Sequence, residues 1–291
     1  MKETGNIVTL TYPGNDSPIE SLWAAGRMAA DAMTFARVSL PDMTSPAEFR
    51  NAIDRFVRSQ KPYLPRWLSI GLGVNDRYIN NVWYVPEPFQ DGDLVKVEIG
   101  LEIGGKYVEV GETLIFGTGK DEDVTLVNGT IHALDAGIAK AQRGGQIIDI
   151  TNAIESCLLG FGLVPAPFGA GHAIRQDDDA LDKRIHPWIF NAKPTGPGRW
   201  ADGTMLDAKE ITRSLLASLE VGMYLALEPC ALSHSDEPVQ DARPVNDEEG
   251  AMQIRLPFWR SKSGSRIAKF VHTLLIKEDG TTVLTRPSEG Q

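Results

Sequence analysis

The stretch VEIGLEIGGKYVEVGETL, Val97 to Leu114, decides how the rest of the chain is read. Val97, Ile99, Leu101 and Ile103 alternate with Glu98, Gly100 and Glu102, which is the period of a strand with one buried face. Gly104-Gly105 supplies the two positive-φ positions of a tight hairpin turn. With that turn, Ile103 pairs with Lys106 and Gly100 with Glu109. Glu98 and Glu109, eleven residues apart, then project from one face as near-diagonal neighbours. Gly100 and Gly111 lie on the same face and are expected to leave room above it. Taken alone, the hairpin reads as the polar face of an ordinary sheet. Residues elsewhere must decide whether the two glutamates line a site.

Working outward, the 291 residues suffice for one large domain with a sizeable core, and the reading is a single domain over 1–291. A formal charge of −10 with no basic cluster argues against nucleic acid and against an anionic membrane surface as main partners. No apolar run approaches the roughly 18 residues of a membrane span. MKETGNIVTL has no apolar stretch followed by a small-residue cleavage site. Cys157 and Cys230 sit in no CxxC pair, so a reduced, cytoplasmic protein is expected, and Cys157 reads as a packed thiol.

The order of elements repeats. Ser17 to Val38 reads as a helix, with Ile19, Leu22, Trp23, Gly26, Met28, Ala30 and Met33 at helical spacing. Ser45-Pro46-Ala47-Glu48 has the form of a capping box, and the helix behind it buries Phe49, Ile53, Phe56 and Val57. The glutamate hairpin follows. Val124 to Ala141 is again helical, and Asp149 to Leu159 forms the next helix with Thr151 as its cap. Met223 to Leu232 and Lys269 to Leu284 close the chain as strands. The plan is an α+β fold of two related halves, about 13–120 and 121–291, with sheets side by side and helices behind. One sheet face is thereby left free for a site. The segment at about 176–212, rich in Asp, Pro, Gly and Trp, reads as a surface excursion or lid, carrying Trp188, Phe190 and Trp200.

Three further polar residues stand in apolar settings. FGAGHAI puts His172 after a Gly-Ala-Gly run where backbones can approach closely. LALEPC puts Glu228 in an apolar strand directly before a proline, where an ionised carboxylate is costly without partners. FVHTLLI places His272 on the last strand. Glu98, Glu109, His172 and Glu228 together offer the oxygen and imidazole donors that borderline divalent metals accept.

These blocks resemble the pita-bread metallopeptidase family, which includes methionine aminopeptidase, the proline-specific aminopeptidases and creatinase. AAGRMAADAM is similar to its first helix, DGDLVKVEIG to its EGD strand, GAGHAI to its GHGIG block, and LEVGMYLALEP to its LKPGM block. FVHTLLIKEDGTTVLT is similar to its last hairpin. The resemblance implies a pita-bread fold, a curved antiparallel sheet backed by helices in two pseudo-symmetric halves. It also implies a site built for two divalent metals held by Asp, Asp, His, Glu and Glu. Carried over in turn, the two aspartates fall on Glu98 and Glu109, the histidine on His172 and the first glutamate on Glu228. The last, bridging glutamate falls on Val271, which ligates nothing. A family histidine on the amide-binding side falls on Asn80 or Asn81, and His186 is a candidate for a second one. His272 is taken with these as a substrate-binding candidate.

The departures carry weight. Each Asp-to-Glu change lengthens the arm by roughly 1 Å, against a tolerance of about 0.5 Å for a working constellation. Valine removes a ligand from both metals at once. The expectation is therefore no intact two-metal centre. It is instead either no metal or one divalent ion (Mn, Fe or Zn) on Glu109, His172 and Glu228. Without metal, the carboxylates would clamp a cationic ligand such as an α-ammonium or a guanidinium, with His172 as the proton-transfer residue. Creatinase offers the precedent on this fold. Three functions stay open. One is a divergent hydrolase or lyase acting on a small amino-acid-like, peptide or guanidino substrate. The others are an inactive peptidase-like binding module and a metal-dependent aminopeptidase. Family members occur as monomers and dimers, so a homodimer also stays open.

Overall fold

The computed structural model describes residues 18–61, 63–78, 87–167, 169–176, 184–195, 198–199, 205–246 and 253–287. The first half begins with α1 (Pro18–Ser39), a 3-10 turn (Leu40–Asp42) and α2 (Pro46–Ser59). Leu22, Ala25, Met28, Ala29, Ala32, Met33 and Ala36 form the buried stripe of α1, at spacings of three and four. Ile19 and Trp23, which the same periodicity had included, fall on the exposed side. Gly26 lies against the Leu284 carbonyl, where any Cβ would overlap it. At α2 the expected capping box is half formed. Ser45 Oγ accepts from the Glu48 amide at 3.3 Å, but the Glu48 carboxylate turns to Thr44, whose amide and hydroxyl donate to it at 2.9 and 2.6 Å. Phe49, Ile53 and Val57 are fully buried, and Phe56 stacks on Phe35 with ring centres 4.5 Å apart.

Strands β1 (Trp67–Val74), β2 (Asp93–Ile103) and β3 (Lys106–Phe116) complete this half. The hairpin has the register that the alternation predicts: Ile103 opposite Lys106, Gly100 opposite Glu109, Glu98 opposite Gly111. Gly104 and Gly105 take φ of 53° and 75° at the turn.

The second half repeats the two helices with α3 (Asp121–Lys140) and α4 (Ile147–Gly160). Gln146, not Thr151, caps α4, with its amide donating to Asp149 Oδ2 at 3.1 Å. The helix starts early because Ile147 and Ile150 are both buried, which puts Thr151 inside it. Then follow β4 (Val164–Pro165), β5 (Gly169–Ile174), β6 (Arg184–Phe190), β7 (Gly198–Arg199), β8 (Met205–Leu206) and α5 (Ala208–Leu215). The chain ends with β9 (Tyr224–Leu227), β10 (Cys230–Leu232), β11 (Pro238–Asn246), β12 (Gln253–Ser261), β13 (Ile267–Lys269), β14 (Val271–Lys277) and β15 (Gly280–Val283).

The main sheet runs β1-β2-β3-β14-β9-β5-β6, antiparallel throughout, with β15 on β14. Two apolar cores lie behind it. Met28, Phe49, Ile99 and Val110 belong to the core of α1 and α2 on the first strands. Leu134, Ile154, Leu225 and Leu274 belong to that of α3 and α4 on the last. Each fully buried side chain of this size contributes roughly 1.5–3 kcal/mol. Odd-numbered residues of β2 point to the helices, so Lys96, Glu98 and Gly100 face the other way.

The described parts of the 176–212 excursion are structural. β6 is the edge strand of the main sheet. Phe190, Leu206, Ile211 and Leu215 form a small core with Ile148 of α4. Trp200 lies outside the described residues.

Candidate active site

Two rows of paired residues cross the helix-free face of the sheet. The first runs Glu98, Gly111, Val271 over β2, β3 and β14. The second runs Thr273, Ala226, His172 over β14, β9 and β5. Glu109 joins the second row through Thr273, whose hydroxyl accepts from the Glu109 amide at 2.7 Å and donates to the Glu109 carbonyl at 2.8 Å. That hydroxyl replaces ladder bonds where β3 and β14 diverge. Glu228 is the first residue beyond β9, its amide donating to the Ala170 carbonyl at 2.7 Å.

Gly171 positions His172. Its φ is 131°, and any Cβ there would overlap the Ala226 carbonyl oxygen, so the close approach requires glycine. The His172 ring then lies 3.0 Å through Nδ1 from the Ala173 carbonyl. With Nδ1–H donating to that carbonyl, Nε2 is the nitrogen offered to a ligand. Nε2 lies 3.2 Å from Glu228 Oε1 and 3.9 Å from Glu109 Oε1.

The expected room above Gly100 and Gly111 is filled. A Cβ on Gly100 would stand 2.6 Å from the Tyr107 hydroxyl and 3.1 Å from the Trp67 ring, and one on Gly111 would stand 2.8 Å from Val271 Cγ2. Tyr107 stacks at a tilt on Trp67, 5.4 Å between ring centres, and its hydroxyl bonds to Glu109. Trp188 of β6 meets the His172 ring edge-on at 6.1 Å. Aromatic surface thus bounds the site on two sides.

One residue at the centre escaped the reading of the sequence. Lys269 Nζ lies 2.5 Å from Glu98 Oε2 and 2.7 Å from Glu228 Oε2. Its backbone is pinned by Thr113, whose hydroxyl accepts from the Lys269 amide at 2.8 Å and donates to the Lys269 carbonyl at 2.9 Å. The signal was present in the alternation: in Lys269-Phe270-Val271, lysine shares the parity of Val271, which lies in the Glu98 row. Its partners, however, come from strands far away in the chain.

The electrostatics follow from this packing. Burial pushes the Glu109 carboxyl up to about 7, with Glu228 and Glu98 adding to the shift and His172 opposing it. Burial also acts on Glu228, but the Lys269 charge and the hydrogen bond from His172 hold its carboxyl below the usual range. For His172, burial disfavours the cation, while the hydrogen bond to Glu228 and the charges of Glu109 and Glu228 outweigh it and raise the pKa. Lys269 is held charged, above its ordinary value, because Glu228 and Glu98 overcome the cost of its burial.

The remaining candidates are Asn80, Asn81, His186 and His272. Asn80 and Asn81 lie outside the described residues. His186 has Arg213 and Glu210 of α5 as its charged neighbours, and burial lowers its pKa. His272 is a correction: the alternation that aims Val271 at the Glu98 row aims His272 the opposite way. Its Nδ1 lies 2.9 Å from Thr285 Oγ1.

The fit to metal differs between the two halves of the site. Among the described residues, Glu109, His172 and Glu228 bring donor atoms to within 4.8 Å of one another, one imidazole and two carboxylates, which suits one divalent ion. A second ion on Glu98 does not fit. The Lys269 ammonium lies against that carboxylate, and the next residue but one in its row is the hydrocarbon of Val271.

Comparison with known proteins gives the family and the fold. The sequence profile of metallopeptidase family M24 matches residues 20–278. Methionine aminopeptidase 1 of Mycobacterium tuberculosis is 26% identical over 282 residues, 92% of each chain. The methionine aminopeptidase of Aquifex aeolicus is 26% identical over 221 residues, 75% of this chain and 71% of that one. Among solved structures, methionine aminopeptidase from Thermotoga maritima superposes with a TM-score of 0.71 at 22% identity, covering 95% of this chain and 99% of that chain. Xaa-Pro dipeptidase from Bacillus anthracis gives 0.61 at 16% identity, over 94% of this chain and 62% of that one. The fold is the pita-bread fold.

Proposed function

The chain belongs to metallopeptidase family M24, and from that premise we propose a hydrolase that works at Glu109, His172 and Glu228 with one divalent ion. Its substrate is a small amino-acid-like or peptide molecule, cleaved at a C–N bond. The observation that carries this reading is the convergence of those three donors within 4.8 Å, beside a lysine where a second ion would sit. A bound Mn, Fe or Zn ion would supply Lewis acidity and an activated water. The side chains have separate tasks. His172 presents Nε2 while the Ala173 carbonyl fixes its ring. Glu228 divides its oxygens between His172 and Lys269. Tyr107 and Trp188 bound the site with aromatic surface, which suits a small substrate end over a bulky one. In the metal-free state Lys269 already meets Glu98 and Glu228, which leaves Glu109 as the carboxylate for a cationic substrate group, an α-ammonium or a guanidinium.

The test is isothermal titration with Mn²⁺, Fe²⁺ and Zn²⁺ beside a turnover screen of amino acids, dipeptides and guanidino compounds. One equivalent of metal is expected. His172→Ala and Glu228→Ala are each expected to lose turnover by about 100-fold or more. Normal metal binding and turnover in both variants would overturn the assignment, as would two equivalents in the native chain. Val271 favours a second reading, a peptide-binding module that has lost catalysis. That outcome would appear as saturable peptide binding with no hydrolysis.

A further inference from the structure

We propose that the ammonium of Lys269 is a tethered substitute for the second divalent cation of this site, so that removing it and placing a carboxylate at position 271 creates a metal position the native chain lacks. Three observations carry this. The first is contact: Nζ touches Glu98 and Glu228 at 2.5 and 2.7 Å, while the other oxygen of Glu228 faces His172 Nε2 at 3.2 Å. Glu228 therefore turns one oxygen to the ammonium and the other to the side of His172, where the single ion would sit, as a bridging carboxylate does. The second is charge. The arrangement implied by family resemblance has four carboxylates and two divalent ions, which is neutral with a neutral histidine. Here one carboxylate has become Val271, and one divalent ion has given way to a monovalent ammonium. Both changes remove one unit of charge, and neutrality is kept with a single ion at Glu109, His172 and Glu228. The third is construction. Lys269 is not a loose surface side chain: Thr113 holds its amide and carbonyl, and β13 pairs Lys269 with Cys230. Lys96, fully buried, donates to the Ile267 carbonyl two residues away at 3.2 Å.

An ammonium neutralises carboxylates but has no empty orbital with which to polarise a bound oxygen. The replacement thus keeps the electrostatic part of the second cation and gives up its Lewis acidity. The inference rests on the one-ion reading only for the native count. The test measures metal per chain by mass spectrometry after equilibrium dialysis against Mn²⁺ or Zn²⁺. The samples are the native chain, Val271→Glu, and Lys269→Ala/Val271→Glu, with circular dichroism as the control for folding. The double variant is expected to bind one ion more than the native chain, and Val271→Glu alone the same number as the native chain. An equal count in the folded double variant would overturn the inference. So would a gain in Val271→Glu, where the lysine is still present, and this variant decides the matter if the double variant does not fold. The native count tests the one-ion reading and the increment tests the lysine, so either can fail without the other.

Discussion

At the scale of single residues, the site is placed by positions that tolerate only one side chain. Gly171 combines a φ of 131° with backbone contact to Ala226, and His172 follows it directly. Gly171→Ala is expected to cost on the order of 2–4 kcal/mol, read from urea unfolding, because both the backbone conformation and the close approach are lost. A cost under about 0.5 kcal/mol would mean that the strand can shift without strain. Much at this scale was legible in the sequence. The Gly-Ala-Gly run announced a close approach, and alternation in the hairpin placed Glu98 and Glu109 on one face. Lys269 was not legible, because nothing local marks which distant carboxylates a lysine will meet. His272 separates from the site for a different reason: it neighbours Val271 on a strand, and neighbours on a strand face opposite ways.

At the scale of elements, two threonines do the work of missing ladder bonds. β3 pairs with β14 only around Val271 and His272, and Thr113 and Thr273 carry the junction on either side. Thr113→Val keeps the shape and deletes both bonds to the Lys269 backbone. The expected cost is about 1–3 kcal/mol, with faster amide hydrogen exchange at Lys269. Unchanged exchange there would remove Thr113 from the positioning of the lysine. Element type was readable from periodicity, since every helix and hairpin of the plan is present. Starts were less so: α4 begins at Ile147 because burial of Ile147 and Ile150 outweighs the local preference of Thr151 for a cap. The excursion past Gln176 reads as a surface excursion or a lid from its Pro and Gly content. Composition could not reveal that Phe190 and Ile211 would find a partner in Ile148.

At the scale of the whole molecule, Lys96 ties the halves together beneath the site. Its Nζ donates to the Asn75 carbonyl at 2.9 Å and to the Ile267 carbonyl at 3.2 Å, joining the end of β1 to β13. Burial pushes its pKa down to about 7. In the unfolded chain a lysine keeps its proton up to about pH 10.4. Between those limits the unfolded state binds the proton and the native state does not, so stability rises with pH across that window. Unfolding free energy is expected to climb by up to about 4 kcal/mol from pH 7 to 10. Lys96→Met should flatten that climb, as urea titrations at several pH values would reveal. Parallel curves for the two proteins would place the charge elsewhere.

The lysine between Glu98 and Glu228 has a practical consequence. An ion is borrowed from the medium and returns to it when a chelator competes, whereas a side chain arrives by translation and cannot be dialysed out. Part of the counter-charge that holds these acids together is therefore present from the moment the polypeptide folds, whatever the supply of trace elements around it.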